Sequence, residues 1–306
     1  MGLKIGIIGS EGFIGRELNI KLSQNPENII YNFGEESNSN FKHSNYKKIN
    51  LNNTQENKLI FESFELIYYL ATASIPASSF QDPLIDVNLN LIPFLNFLEA
   101  IKSSNVKKIV FTSSGGTIYG ASNKLLNEKS KKNPESPHGI IKLTMEHFIK
   151  YNLKKSGINY SIFRISNTYG ENQNISKGLG LINTIIEKAI FKEKIEIFGN
   201  GSSKRNYIYV KDVVNALSIV INQDLQQSNI YNLASSKSHT VNEVLELIQD
   251  VIKEPLNIRY VGSRKSDIPT TLIDNSKFRE SHLNFRFTDL SVGIKNTYDY
   301  IKKSKL

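Results

Sequence analysis

The segment that most restricts this chain is Gly9-Ser-Glu-Gly12-Phe-Ile-Gly15, which comes directly after the apolar run Leu3-Lys-Ile-Gly-Ile-Ile8. Glycines at this spacing, between a strand and a helix, answer three physical demands. The first permits the tight turn, the second lets the backbone approach a pyrophosphate, and the third lets the helix pack close to the sheet. The helix amino terminus then presents unpaired amides to the anion. At the start of a βαβ unit the pattern reads as a dinucleotide site, with Gly9, Gly12, Phe13, Ile14 and Gly15 as candidate cofactor contacts. A ribose-binding acid is expected about 20 positions further on. The second strand run ends at Tyr31-Asn32-Phe33, with Glu35 and Glu36 slightly later, so Asn32 is the candidate for a ribose hydroxyl. No Arg or Lys lies between Phe33 and Phe41 to hold a 2′-phosphate, which favours NAD over NADP.

The chain beyond the glycine turn keeps to the same architecture. Strand candidates at Lys4–Ile8, Ile29–Asn32, Leu66–Leu70, Lys108–Ser113 and Tyr160–Ile165 alternate with helix candidates at Phe13–Leu22, Asn90–Ser103 and Ile140–Lys155. Nearly continuous apolar strands in βαβα order predict an α/β fold, a Rossmann-type doubly wound parallel sheet covered on both faces. The rhythm breaks in the second half. Helical patterns there fall near Leu179–Phe191, Asp212–Ile221, Asn242–Ile252 and Leu290–Lys302, and Thr240-Val-Asn-Glu243 forms a capping box. Gly199-Asn-Gly201 separates two strand-like runs. The expected organisation is a dinucleotide-binding domain over 1–165, rejoined by about 206–234, with a smaller mixed α/β substrate domain over 166–205 and 235–306.

Composition removes several classes of function. The chain has no cysteine, so disulfides, thiolate metal sites and a cysteine nucleophile are excluded. His43, His138, His147, His239 and His282 show no paired ligand spacing, and no metal is expected. The formal net charge is +9, but the lysines are scattered and no aromatic-interleaved stripe accompanies them, so no nucleic-acid partner is expected. No signal-like amino terminus and no apolar run of roughly 20 residues is evident, which predicts a soluble, cytoplasmic protein without membrane insertion.

Separated motifs then occur in a telling order. Gly9-x-x-Gly12-x-x-Gly15 is followed by Leu70-Ala-Thr-Ala73, Val87-Asn88, Thr112-Ser-Ser-Gly-Gly-Thr-Ile-Tyr-Gly120 and Lys142. Phe163-Arg-Ile-Ser-Asn167-Thr-Tyr-Gly170, Arg205-Asn-Tyr-Ile-Tyr-Val-Lys-Asp212 and Arg264-Lys-Ser-Asp-Ile-Pro269 complete the series. Across nearly its whole length the chain resembles the extended short-chain dehydrogenase/reductase family, and within it the NAD-dependent UDP-sugar 4-epimerases of the UDP-glucose 4-epimerase type. The resemblance implies hydride removal at sugar C4 by tightly held NAD and its return to the other face, in sugar-nucleotide or surface-polysaccharide supply. In such enzymes a tyrosine takes the hydroxyl proton, a lysine four residues later assists, and a Ser or Thr bonds the oxygen.

Carried onto this sequence, the lysine is Lys142 and the serine Ser114, with Ser113 as the alternative. The tyrosine position holds His138. Three readings stand side by side: His138 is the base, with a rate that falls on acidification through the imidazole range; the chain binds its ligands but turns over slowly; or His138 only fills space. The resemblance adds Asn50, Leu51, Leu70, Ala71, Thr72, Asn88 and Lys142 to the cofactor contacts. On the substrate side it adds Ser114, Asn167, Arg205, Arg264, Asp267 and Thr271. Arginine suits a diphosphate through its planar, bidentate fork, and the small Thr271 predicts room for an N-acetyl sugar. The acid that dehydratases and decarboxylases carry beside the catalytic Ser/Thr is replaced here by Gly115-Gly116, which favours epimerisation or keto-sugar reduction. A homodimer is also implied, built through Asn90–Ser103 and Ile140–Lys155.

Overall fold

A computed structural model of the chain describes residues 2–34, 45–74, 76–175, 180–263 and 270–305. It divides into two compact units. The first comprises Met1–Ile118, Pro134–Arg164 and Val214–Tyr231. Its frame is a seven-stranded sheet containing β1 (Lys4–Ile8), β2 (Ile29–Gly34), β3 (Tyr46–Lys48), β4 (Leu66–Tyr69) and β5 (Lys108–Ser114), in the order Asn229–Leu233, Asn159–Ile165, β5, β4, β1, β2, β3. The pairings from β3 through to β5 are all parallel. The order 3-2-1-4-5 is that of a doubly wound dinucleotide-binding sheet, in which ligands lie at the carboxyl ends of the strands.

Every residue of β4 is buried, as a central parallel strand requires. Aromatic rings fill the layer beside it. Tyr69 and Phe94 lie 4.8 Å apart and Phe61 and Phe97 5.4 Å apart, both edge to face, the arrangement ring quadrupoles favour. Phe94, Phe97, Leu98 and Ile101 of helix Ile92–Ile101 are fully buried in this core.

Hydrophobic patterning gives no sign of two pieces of this unit. Strand β3 is short and mostly polar, and helix Thr54–Phe61 is marked chiefly by its cap, with Asn53 accepting from the Glu56 amide at 3.2 Å. The single helix expected over Asn90–Ser103 is composite. An α-turn at Pro83–Asp86 passes into a π-helical turn at Val87–Leu91 and then into Ile92–Ile101. The whole run Pro83–Ile101 is 19 residues long and apolar enough to cross a membrane by length and composition, contrary to the sequence expectation. In this fold its Asp86, Asn90, Phe94 and Phe97 are buried in the first unit.

The second unit comprises Tyr119–Asn133, Ile165–Val213 and Asn232–Leu306. Segment 119–133, expected from the sequence in the first domain, enters the second because Ser122–Leu126 pairs in parallel with Thr271–Ile273. Thr271–Ile273 also pairs with Lys204–Tyr209, which carries Ser238–Thr240 antiparallel and Asn167–Tyr169 parallel. Ile195–Phe198 pairs instead with Ile258–Val261, so Gly199-Asn-Gly201 connects strands of different sheets and closes no hairpin. The capping box of helix Val241–Ile252 forms as expected: Thr240 Oγ1 accepts from the Glu243 amide at 3.1 Å, and Glu243 accepts from the Thr240 amide at 2.7 Å.

Candidate active site

The turn after β1 meets the three demands on its glycines. Gly9 has φ +84°, and a Cβ there would lie 2.7 Å from the Ala71 nitrogen, where the chain leaves β4. A Cβ on Gly15 would lie 2.2 Å from the Gly9 carbonyl, so only glycine lets helix Phe13–Leu22 begin this close to the loop. Gly12 caps that helix without a side-chain hydrogen bond, and no acid stands in the first turn. The uncapped amides and the three glycines, which leave room for close backbone approach, fit a dinucleotide pyrophosphate. Phe13 and Ile14 are half-buried at the helix start.

Several expected cofactor contacts are placed differently. Asn32 is 1% exposed and turned into the core, where its Nδ2 donates to Asn19 Oδ1 at 3.0 Å, so it does not serve as the ribose partner. The strand's alternation puts it on the helix-facing side, and β2 continues two residues further, to Gly34. Glu35 and Glu36 lie outside the described residues. Asn50 shapes a turn by accepting from the Asn52 amide at 3.0 Å, and Leu51 is buried in the aromatic core. Leu70 is buried, Ala71 half-buried and Thr72 exposed at the carboxyl end of β4. Asn88 is exposed; it is Asn90, two residues on, that accepts from the Ala73 amide at 2.8 Å. The π-turn sets that register.

Ser114, His138 and Lys142 belong to two elements that meet at the carboxyl end of β5. Helix Pro137–Leu153 starts with Ser136 as N-cap, accepting from the Gly139 amide at 3.1 Å. A Cβ on Gly139 would lie 2.5 Å from the Thr117 carbonyl, so this glycine lets the helix start seat against the turn just beyond Ser114. Ser113 and Ser114 separate cleanly. Ser113 is buried and donates to Glu146 Oε1 at 2.6 Å, whereas Ser114 is half-buried at the strand end. Glu146 also takes Arg164 Nε at 3.0 Å and Nη2 at 2.7 Å, which clamps the helix to strand Asn159–Ile165.

Lys142 Nζ donates to the Thr112 carbonyl at 3.1 Å and lies 5.0 Å from the centroid of the Phe111 ring. Burial lowers its pKa to about 8, against the opposing pull of the Asp86 and Glu146 carboxylates. His138 is half-buried one turn earlier. Burial and then the charge on Lys142 lower its pKa to about 4, with Asp86 pulling the other way. The imidazole is therefore neutral at pH 7, and its titration falls below the ordinary imidazole range in which the sequence predicts a loss of rate.

Asp86 belongs to no motif in the sequence, yet it bears on both groups. It is fully buried; its Oδ1 accepts from Ser74 Oγ and from Asn90 Nδ2 at 2.9 Å, and its Oδ2 has no partner among the described residues. The available signal is an acid and an amide four apart, on one face of an otherwise apolar helical run.

In the second unit, Asn167 Nδ2 donates to the Asn206 carbonyl at 3.0 Å, and half-buried Arg205 is in register with Thr271. Asn206, which stands where an acid would be usual, is a structural hub. Its Nδ2 donates to the Ser235 and Lys237 carbonyls and its Oδ1 accepts from the Ile273 amide at 2.9 Å. Thr271 is 2% exposed, on a strand paired with that of Arg205. Tyr207 is buried on the strand of Arg205, and burial pushes its hydroxyl up to about 12. Arg264 and Asp267 lie outside the described residues. Among the described residues no cluster of metal-ligating side chains occurs.

Comparison with known proteins agrees with this geometry. The model of the NAD dependent epimerase/dehydratase family matches residues 5–234. A putative UDP-glucose 4-epimerase of Methanocaldococcus jannaschii is 30% identical over 97% of this chain and 98% of its own length. The dTDP-4-dehydro-6-deoxyglucose reductase of Escherichia coli is 28% identical over 79% of this chain and 80% of its own. Among solved structures, the UDP-glucose 4-epimerase of Thermotoga maritima with UDP-glucose superposes with a TM-score of 0.90 at 28% identity, covering 99% of both chains. With the family model matched over most of its length and a relative 30% identical from end to end, this chain belongs to the NAD dependent epimerase/dehydratase family.

Proposed function

We propose that the chain is a nucleotide-sugar 4-epimerase that inverts C4 of a UDP-linked hexose, with His138 as its proton acceptor. When bound, NAD supplies a hydride acceptor for that carbon. The protein's own task is the proton. A hydroxyl does not release hydride readily near neutral pH unless its proton leaves in concert, so a base must touch it. The observation that carries the reading is the neutral imidazole of His138 held one turn before Lys142 at the end of β5. Ser114 holds the same oxygen, and burial, then the charge of Lys142 seated on the Thr112 carbonyl, keeps the imidazole unprotonated. Arg205 and Asn167 serve the nucleotide-sugar, with Arg264 and Asp267 in the same role.

A base that protonates only near pH 4 has little driving force at neutral pH, because proton transfer is most effective when the pKa lies near the working pH. That observation favours a second reading, a ligand-binding chain of low turnover. Incubation of the purified protein with UDP-glucose, UDP-N-acetylglucosamine and UDP-glucuronate, with NMR of the sugar anomers as readout, separates the two. Epimerisation by the wild type, lost by about 10²–10⁴-fold in His138→Ala, supports the proposal. Ligand binding without conversion, with conversion gained in His138→Tyr, establishes the second reading. An NAD-loaded protein inactive on the whole panel in all three forms overturns both.

Assembly as a homodimer is part of the proposal. Leu89, Ile92, Ile140 and Tyr151 expose apolar surface on the π-turn and on helices Ile92–Ile101 and Pro137–Leu153, which pack together in the first unit. Light scattering checks the mass, and a monomer at micromolar concentration sinks this part.

A further inference from the structure

Nucleotide-binding sheets of this kind read the adenosine ribose with an acid at the end of the second strand. Here β2 ends at Gly34, which has no side chain to offer. The space such a side chain would need is already taken. A Cβ built on Gly34 would lie 2.7 Å from Glu11 Oε2, 2.9 Å from Glu11 Cδ and 2.5 Å from the Tyr46 hydroxyl. The carboxylate of Glu11 thus sits over the end of β2, although it arises from the glycine loop. Its other oxygen, Oε1, is buried and has no hydrogen-bond partner among the described residues. The loop is fixed there by the Gly9 amide, which donates to the Phe33 carbonyl at 2.9 Å.

We infer that Glu11 supplies the carboxylate that reads the adenosine ribose, and so sets the preference for NAD over NADP, in place of an acid on β2. Three observations converge on this. Asn32, the polar residue of β2, is committed to Asn19 inside the core. Gly34 cannot carry an acid while Glu11 occupies its side-chain volume. An unsatisfied carboxylate oxygen is costly to bury and accepts well from a ribose hydroxyl, whereas a 2′-phosphate in that place meets a like charge. Arg16 shares the loop, its Nε donating to the Glu11 carbonyl at 2.9 Å. Removing the carboxylate would leave this guanidinium, a group suited to phosphate, as the main charge of the loop.

The inference rests on NAD being the cofactor and is independent of the sugar substrate. Protein stripped of cofactor is titrated with NAD and with NADP by calorimetry, in the wild type and in Glu11→Gln. The isosteric amide should reduce the preference for NAD by about tenfold or more, because a charge-assisted hydrogen bond and a charge repulsion are removed together. Moving the acid tests position as well as charge. Glu11→Ala should lose the preference, and Glu11→Ala with Tyr46→Phe and Gly34→Asp should regain it, because the first two changes remove the carboxylate and the hydroxyl that crowd a side chain at position 34. An unchanged preference in Glu11→Gln overturns the inference, as does a folded triple variant no more selective than Glu11→Ala with Tyr46→Phe. A wild type that binds neither nucleotide overturns the cofactor reading instead.

Discussion

Two buried carboxylates in the first unit invite comparison, because one is fully answered and the other is not. Glu146 spends both oxygens: Oε1 on Ser113 and Arg164, and Oε2 on Arg164, with the side chains of the pair at most 1% exposed. Asp86 crowds Ser74 and Asn90 onto Oδ1 and leaves Oδ2 without a partner among the described residues. A satisfied buried network rigidifies its surroundings, whereas an unsatisfied charge keeps its field for its neighbours. The first carboxylate positions the helix that carries His138 and Lys142, and the second raises the proton affinity of both. Glu146 also raises Lys142, but of the two acids only Asp86 bears on His138 as well.

The largest expected effect lies on the answered side. Arg164→Met should cost about 3–5 kcal/mol of stability, because it strands a buried charge. Exchanging both partners, as Arg164→Met with Glu146→Leu, should recover most of that loss in urea denaturation. A single variant as stable as the wild type would mean that the pair does not clamp the helix.

The next effect separates the adjacent serines. Ser113→Ala should destabilise by about 1–3 kcal/mol, since Glu146 loses a buried donor. Ser114→Ala should leave the denaturation midpoint nearly unmoved and lower kcat/KM by about 10²-fold, as removal of a hydrogen bond to the reacting oxygen does elsewhere. Reversed outcomes would assign the working serine to position 113.

The contrast also explains how far the sequence can be read. The glycine turn, the strands around it and the capping box at Thr240 are legible, because each is a local demand that a few neighbouring residues meet. That the segments of Ser114 and Lys142 meet at the end of β5 is legible through motif order. Asn32 and Asn88 mislead for one physical reason, since register decides which way a side chain faces. Two more residues of β2 put the ribose end at Gly34, and a π-turn moves the buried amide from 88 to 90. Asp86 and Glu11 escape a sequence reading because their meaning is not local. Asp86 gains its role from Ser74 and from a helix some fifty residues on, and Glu11 from the emptiness of Gly34. Segment 119–133 changes unit because its partner strand, Thr271–Ile273, lies far along the chain.

The smallest effect is the sharpest test of the unanswered carboxylate. If His138 must be neutral and Lys142 charged, kcat/KM should be level between an acid limb near pH 4 and an alkaline limb near pH 8. Asp86 raises both groups, so Asp86→Asn should move both limbs to lower pH, by the order of one unit. Stability changes with its own sign. The folded pKa of His138 lies below its ordinary 6.5, so the stabilisation from keeping it neutral is full above pH 6.5 and is lost as pH falls toward about 4. Asp86→Asn should extend that loss to still lower pH. A structural role alone would lower the denaturation midpoint at every pH and leave the limbs of the rate profile in place. Limbs that stay fixed while the protein remains folded would therefore remove the distinction between the two acids.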